Sequence, residues 1–167
     1  MRTTLQRLAL LMVLLAGSLL GVAAPAQAKS SQIDGTAFFD SAPGGSCLPP
    51  PSEYDSYPAL VMRGSLEGCW YTSVEQAKTT NGDAYLEQGR ELFVGSLNGL
   101  LEGSFTTTYR FEAKLAADGS EVRGRCQHPL VRGSGTGGFT GATGRVDFKD
   151  IIGEEITYVY RGHISLR

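Results

Sequence analysis

The sequence predicts an all-β protein, and within that class an antiparallel barrel in preference to a sandwich. Three observations carry this. Apolar and polar residues alternate with a period of two over long stretches. The turn dipeptides Asn81-Gly82, Asn98-Gly99 and Asp118-Gly119 separate those stretches. No segment carries a convincing helical period, which argues against an α/β architecture.

The chain opens MRTTLQRLALLMVLLAGSLLGVAAPAQA. Arg2 and Arg7 supply a short positive region, Leu8 to Val22 is almost wholly apolar, and Ala26-Gln27-Ala28 has the small-x-small form that signal peptidase cuts. Residues 1–28 therefore read as a signal peptide cleaved after Ala28, giving a secreted protein. The apolar run is short for a transmembrane anchor, and no later stretch is long and apolar enough to span a bilayer. The 167 residues carry a net charge of −2 without a basic cluster, so neither nucleic acid nor an anionic membrane is an expected partner.

Residues 29–57 read as a flexible arm, because SAPGGSCLPPPSEYDSYP is rich in Pro, Gly and Ser. A barrel domain is expected over 58–167. In 60–72, Leu60, Met62, Leu66 and Trp70 share one parity, opposed by Arg63, Ser65 and Glu67. The clearest strand is 101–115, LEGSFTTTYRFEAKL: Phe105, Thr107, Tyr109 and Phe111 share the inward parity, against Thr106, Thr108, Arg110 and Glu112. Segments 84–94, 120–126, 145–149 and 156–166 complete the set. Gly64, Gly68, Gly103, Gly124 and Gly162 lie inside strands, where the sharp bends of a closing barrel need them.

Cys47, Cys69 and Cys126 are the three cysteines. Export makes one disulfide expected and leaves one thiol over. All three pairings are open. The strand placement of Cys69 and Cys126 points to a bridge between those two, which leaves the arm loose; a bridge from Cys47 would pin it.

The stretch 133–144, GSGTGGFTGATG, is half glycine and contains G-x-G-x-x-G. A dinucleotide loop needs a strand before it and a helix after it. Here Thr143–Lys149 alternates as a strand, so the glycines read as a tight bend and no nucleotide or other cofactor is expected.

The same run, GSGTGGFTGATGRVDF, resembles the glycine-rich stretch of the allene oxide cyclase-like barrels and of the related dirigent proteins. YVYRGHISL is similar to their closing strand. GSLEGCWY and GRCQHP are similar to segments of small secreted bacterial proteins of that superfamily. The resemblance implies an eight-stranded antiparallel closed barrel of calycin type with a central cavity. It also makes a homodimer or homotrimer the assembly to look for. It implies no single activity, since such barrels include cyclases, guides of radical coupling and non-catalytic proteins.

Candidate site residues are then the polar and aromatic groups that face inward: Glu87, Glu91, Phe105, Tyr109 and Tyr160. The register of 84–94 stays open. Tyr85 and Phe93 pointing in would bring Glu87 and Glu91 with them, where burial suits a carboxyl to proton transfer. Leu86, Leu92 and Val94 pointing in would leave both glutamates on a solvated face, the commoner arrangement. Tyr71 and Tyr158 are further hydrogen-bonding candidates, although tyrosines in a barrel are more often packing groups. Arg123, Arg125 and Glu121 read as an outer charged face. Cys126-x-His128 is too sparse for a metal site in a chain with two histidines, and no G-x-S-x-G elbow supports a hydrolase. The leading expectation is a secreted barrel that binds a small apolar ligand or a surface component without catalysis. The alternative is an isomerase or cyclase acting in the cavity, and a structural or interaction barrel is the third reading. They differ in the cavity: bare of titratable groups at its base, polar at depth, or filled.

Overall fold

A computed structural model describes residues 29–41, 45–80 and 83–166. The signal peptide expected over 1–28 and the turn expected at Asn81-Gly82 lie outside the described residues. Among the described residues nine strands follow in order: β1 Lys29–Phe39, β2 Leu60–Gly64, β3 Leu66–Thr80, β4 Ala84–Leu97, β5 Leu101–Leu115, β6 Glu121–Pro129, β7 Thr136–Gly137, β8 Thr143–Ile151 and β9 Thr157–Leu166. Each pairs antiparallel with its neighbours in the ring β1-β2-β3-β4-β5-β6-β8-β9, and β9 returns to β1. The protein is a closed eight-stranded barrel, with β7 added outside it on β5. Among the described residues no helix is long and apolar enough to cross a membrane.

Alternation sets the two faces. Ile33, Ala37, Leu60, Met62, Leu66, Trp70, Phe93, Phe105, Val146, Phe148, Tyr160 and Ile164 fill one interior cluster. Each points to the same side as its neighbour two positions away, as a pleated strand requires. The 101–115 strand has its expected inward set: Phe105, Thr107 and Tyr109 are buried.

Three expectations are corrected. The arm does not begin at residue 29: Lys29–Phe39 is β1, paired with β2 and β9. KSSQIDGTAFF buries little beyond Ile33 and Ala37, so its period of two is easily overlooked beside the Pro-rich run that follows. The segment 60–72 is not one strand. It turns at Gly64, whose φ of 111° a side chain would resist, and continues as β3. Parity is kept across the turn, with Leu60, Met62, Leu66 and Trp70 all inside.

The disulfide joins Cys47 to Cys69, not Cys69 to Cys126, and Cys126 is a free buried thiol. The reason is the face. Cys69 alternates with inward Trp70 and packs outside the barrel near Tyr54, Ala59 and Tyr71. Cys126 belongs to the interior cluster. A wall of backbone separates them. The bridge pins the segment between β1 and β2 to the outer face of β3, helped by a Tyr71 hydroxyl that donates to the Leu48 carbonyl at 3.2 Å.

One end of the barrel is shut. Phe93, Phe105 and Phe139 are wholly buried, with ring centroids 5.0 to 5.8 Å apart. Phe139 comes from the glycine-rich stretch. That stretch lends β7 to β5, sets Phe139 into the floor and leads into β8, with no helix after it.

Candidate functional site

The other end of the barrel holds a cavity of about 220 Å³. Apolar walls come from Phe39, Leu60, Trp70, Phe111, Phe148 and Tyr158. Three groups of polar side chains interrupt them.

The first is built on Glu87. Three phenols donate to its carboxylate: Tyr57 at 2.6 Å and Tyr85 at 2.5 Å to Oε2, and Tyr109 at 2.7 Å to Oε1. Charge-assisted bonds of this length are the stronger kind. Burial, and then the Glu87 carboxylate, push the phenols of Tyr57 and Tyr109 well above the ordinary tyrosine value, so both stay protonated as donors. Tyr85 is displaced the same way.

The second is Glu91 with His128. Nε2 of His128 lies 3.1 Å from Glu91 Oε2, and its Nδ1 lies 3.1 Å from the Val146 carbonyl oxygen. Thr72 and Thr107 hydroxyls also donate to Glu91, at 3.3 Å to Oε1 and 3.2 Å to Oε2. Both neighbours of the imidazole are acceptors. The arrangement is satisfied by imidazolium against carboxylate, or by neutral imidazole with the proton on Glu91. These differ only in the position of one proton along a 3.1 Å contact. The Tyr109 ring stacks on the imidazole at 6.0 Å and the Trp70 ring meets it edge-on at 5.5 Å, fixing its plane.

The third is a carboxyl pair. Asp150 is pushed up to about 8, first by burial and then by its hydrogen bond to Glu121 and that group's charge. Glu121 Oε1 is buried with no hydrogen-bond partner among the described residues, beside the protonated Asp150 carboxyl. Gly124 makes the space: a Cβ there would lie 2.3 Å from Asp150 Oδ2 and 2.4 Å from Glu121 Oε1. Cys126 completes this wall. Burial, followed by the charges of Glu91 and Asp150, pushes its thiol far up, so it is no nucleophile.

The fate of each expected site residue is now clear. Glu87 and Glu91 point inward, 6% and 5% exposed. The β4–β5 register explains it: Glu87 lies opposite Phe111, Glu91 opposite Thr107 and Phe93 opposite Phe105, all inward residues of β5. Tyr109 reaches the cavity. Phe105 does not, since it belongs to the floor. Tyr160 does not either: its hydroxyl accepts from the Leu66 amide at 2.8 Å and lies 3.2 Å from the Arg63 carbonyl oxygen, so it clamps the β2–β3 corner.

Sequence reading missed Tyr57, His128, Asp150 and Glu121. His128 and Asp150 were legible by parity, with Cys126 and with Phe148 respectively. Glu121 was read as an outer charge. A register slip after Lys114 pairs Leu115 with Glu121 and leaves Val122 unpaired and exposed, which turns Glu121 inward. Tyr57 sits in an irregular segment and carries no periodic signal.

No known protein-family model matches this chain, and no curated protein matches it. Its chemistry is read from the cavity alone. That cavity can hold a small apolar molecule, position it among rigid aromatic walls and offer two proton-bearing pairs to it.

Proposed function

We propose that this protein is a proton-transfer catalyst, an isomerase or cyclase of allene oxide cyclase-like type, acting on a small and mainly apolar molecule inside the barrel. The observation that carries the reading is the buried Glu91–His128 pair, at 3.1 Å, in the wall of the same cavity as the protonated Asp150–Glu121 pair. One pair can take a proton from a bound molecule and the other can return one to a different atom. A binding barrel needs no titratable groups at depth, and this cavity has several. At about 220 Å³ it is smaller than the roughly 300–1,000 Å³ of drug-sized sites, which favours a compact substrate. The Cys47–Cys69 bridge suits a protein exported to an oxidising space after removal of residues 1–28.

The test is deuterium exchange. Wild-type protein in D2O should speed loss of the acidic C–H of small cyclic ketones. Glu91→Gln and His128→Gln should each lower that rate by roughly 10²–10⁴. A wild-type rate no better than buffer across a broad set of such ketones would contradict the reading.

One observation favours a second reading, a non-catalytic ligand-binding barrel. Glu87 and Glu91 each already have three partners within the protein, as in a polar network that fixes a rigid cavity. Tight binding of small apolar molecules, equal in wild type and in Glu91→Gln and without exchange, would support it instead.

A further inference from the structure

Trp70 is 1% exposed and lines the cavity, yet its Nε1 has no hydrogen-bond partner among the described residues. An indole N–H can only donate. Four rings pack around it: Phe93 at 5.9 Å, Phe105 at 5.8 Å, His128 at 5.5 Å and Phe148 at 5.2 Å. Both nitrogens of His128 are already engaged. An aromatic face is a weak substitute for an acceptor. A buried donor without a partner costs free energy, which an arriving acceptor relieves.

From this we infer that Trp70 anchors the substrate, through one hydrogen bond from Nε1 to an acceptor oxygen, and that the substrate class is a small cyclic ketone or enone. This deepens the proposed function and rests on it for the chemistry that follows binding. Between the polar groups the walls are carbon, from Phe39, Leu60, Phe111 and Phe148, so the remainder of the molecule is mainly apolar. With its carbonyl oxygen on Trp70, the molecule lies beside the His128 ring. The Glu91 carboxylate, at Oε1 where the Thr72 hydroxyl is its one partner among the described residues, then removes a proton from the carbon next to the carbonyl. The C–H electron pair becomes the new C=C bond, the former C=O pair moves to oxygen, and the Trp70 N–H holds that oxygen as charge develops. In a β,γ-enone Asp150 returns a proton to the γ-carbon and the double bond moves into conjugation; in a saturated ketone the proton goes back to the same carbon. Asp150 is reprotonated from solvent, and the Glu91–His128 pair releases to solvent the proton it took. Atoms and electrons balance without an oxidant.

Trp70 is the sole tryptophan, so a single indole resonance reports on it. The probes are carvone and limonene, ten-carbon rings that differ in the carbonyl. Carvone should bind wild-type protein at least about tenfold more tightly than limonene, and should move the indole ¹H–¹⁵N resonance downfield where limonene does not. Trp70→Phe, which keeps a ring but loses the N–H, should erase the preference. Equal affinities, no binding of either probe, or carvone binding without the downfield shift would each overturn the inference. The shift is read on wild-type protein, so a variant that fails to fold does not decide the matter. Deuterium exchange into carvone is measured separately. Selective binding without exchange would count against proton transfer and leave the Trp70 anchor standing; exchange without selectivity would do the reverse.

Discussion

The Tyr57 hydroxyl lies 2.6 Å from Glu87 Oε2, although Tyr57 belongs to the segment that runs outside the barrel. That segment pairs along the free edge of β3, where Asp55 bridges Thr72 and the Ser56 amide donates to the Thr72 carbonyl at 3.1 Å. It thereby delivers one side chain across the mouth of the cavity. Tyr57 is 38% exposed, so it closes the mouth partly.

Tyr57→Phe should cost about 1 kcal/mol in urea unfolding, the worth of one hydrogen bond at a half-buried site. It should also raise acrylamide quenching of Trp70 fluorescence, because the hydroxyl no longer holds the ring over the opening. Unchanged quenching would mean that the mouth is closed by something else.

Peptide mapping under non-reducing conditions should recover Cys47 linked to Cys69. The native protein should show no fast-reacting thiol, and the unfolded protein should show one, Cys126. Replacing both bridge cysteines by serine should cost roughly 3 kcal/mol, as expected for a closed loop of this size, 22 residues apart in sequence. It should also raise Trp70 quenching, since the bridge anchors the segment that carries Tyr57.

The carboxyl pair sets a pH dependence. Asp150 titrates at about 8 in the folded protein against an ordinary value of 3.8. Between those values the folded protein keeps a proton that the unfolded chain has released. Stability from this group is therefore full below pH 3.8, falls as pH rises and levels off above about 8, with a slope of at most about 1.4 kcal/mol per pH unit. Asp150→Asn removes the slope. Urea midpoints at pH 5, 7 and 9 for both proteins check this, with Glu121 and Tyr158 as the titratable neighbours that share the site.

Gly124→Ala should be destabilising by roughly 1–3 kcal/mol, because the added methyl takes the place of the two carboxyl oxygens and presses on Phe111. The displaced carboxyls would separate, so the pH slope should weaken along with the stability. A fully stable variant with the same slope would contradict the close packing of the two carboxyls against Gly124.

How much of this was legible in the sequence follows from periodicity. β5 alternates without a break, and its inward residues were readable one by one. β4 alternates too, but both of its faces carry apolar residues. The choice between Glu87 with Phe93 and Leu86 with Val94 was made by the partner strand, which no single segment reveals. The disulfide was misjudged although parity held the answer: Cys69 alternates with inward Trp70, while Cys126 shares its side with His128. Glu121 and Tyr57 owe their positions to a register slip and to an irregular segment, and neither has a local signature. Three of the four polar groups missed come from β6 and β8, where short apolar runs drew little attention to the charges between them.

The measurement that tests the account most directly is a crystal structure of residues 29–167 purified from the natural culture medium without detergent. The account predicts density for a small molecule in the cavity, with an oxygen within hydrogen-bond reach of Trp70 Nε1 and a carbon facing the Glu91–His128 pair. A cavity packed shut by Phe39, Tyr57 and Tyr158 would contradict it, and would leave a barrel whose buried polar groups serve only its own structure.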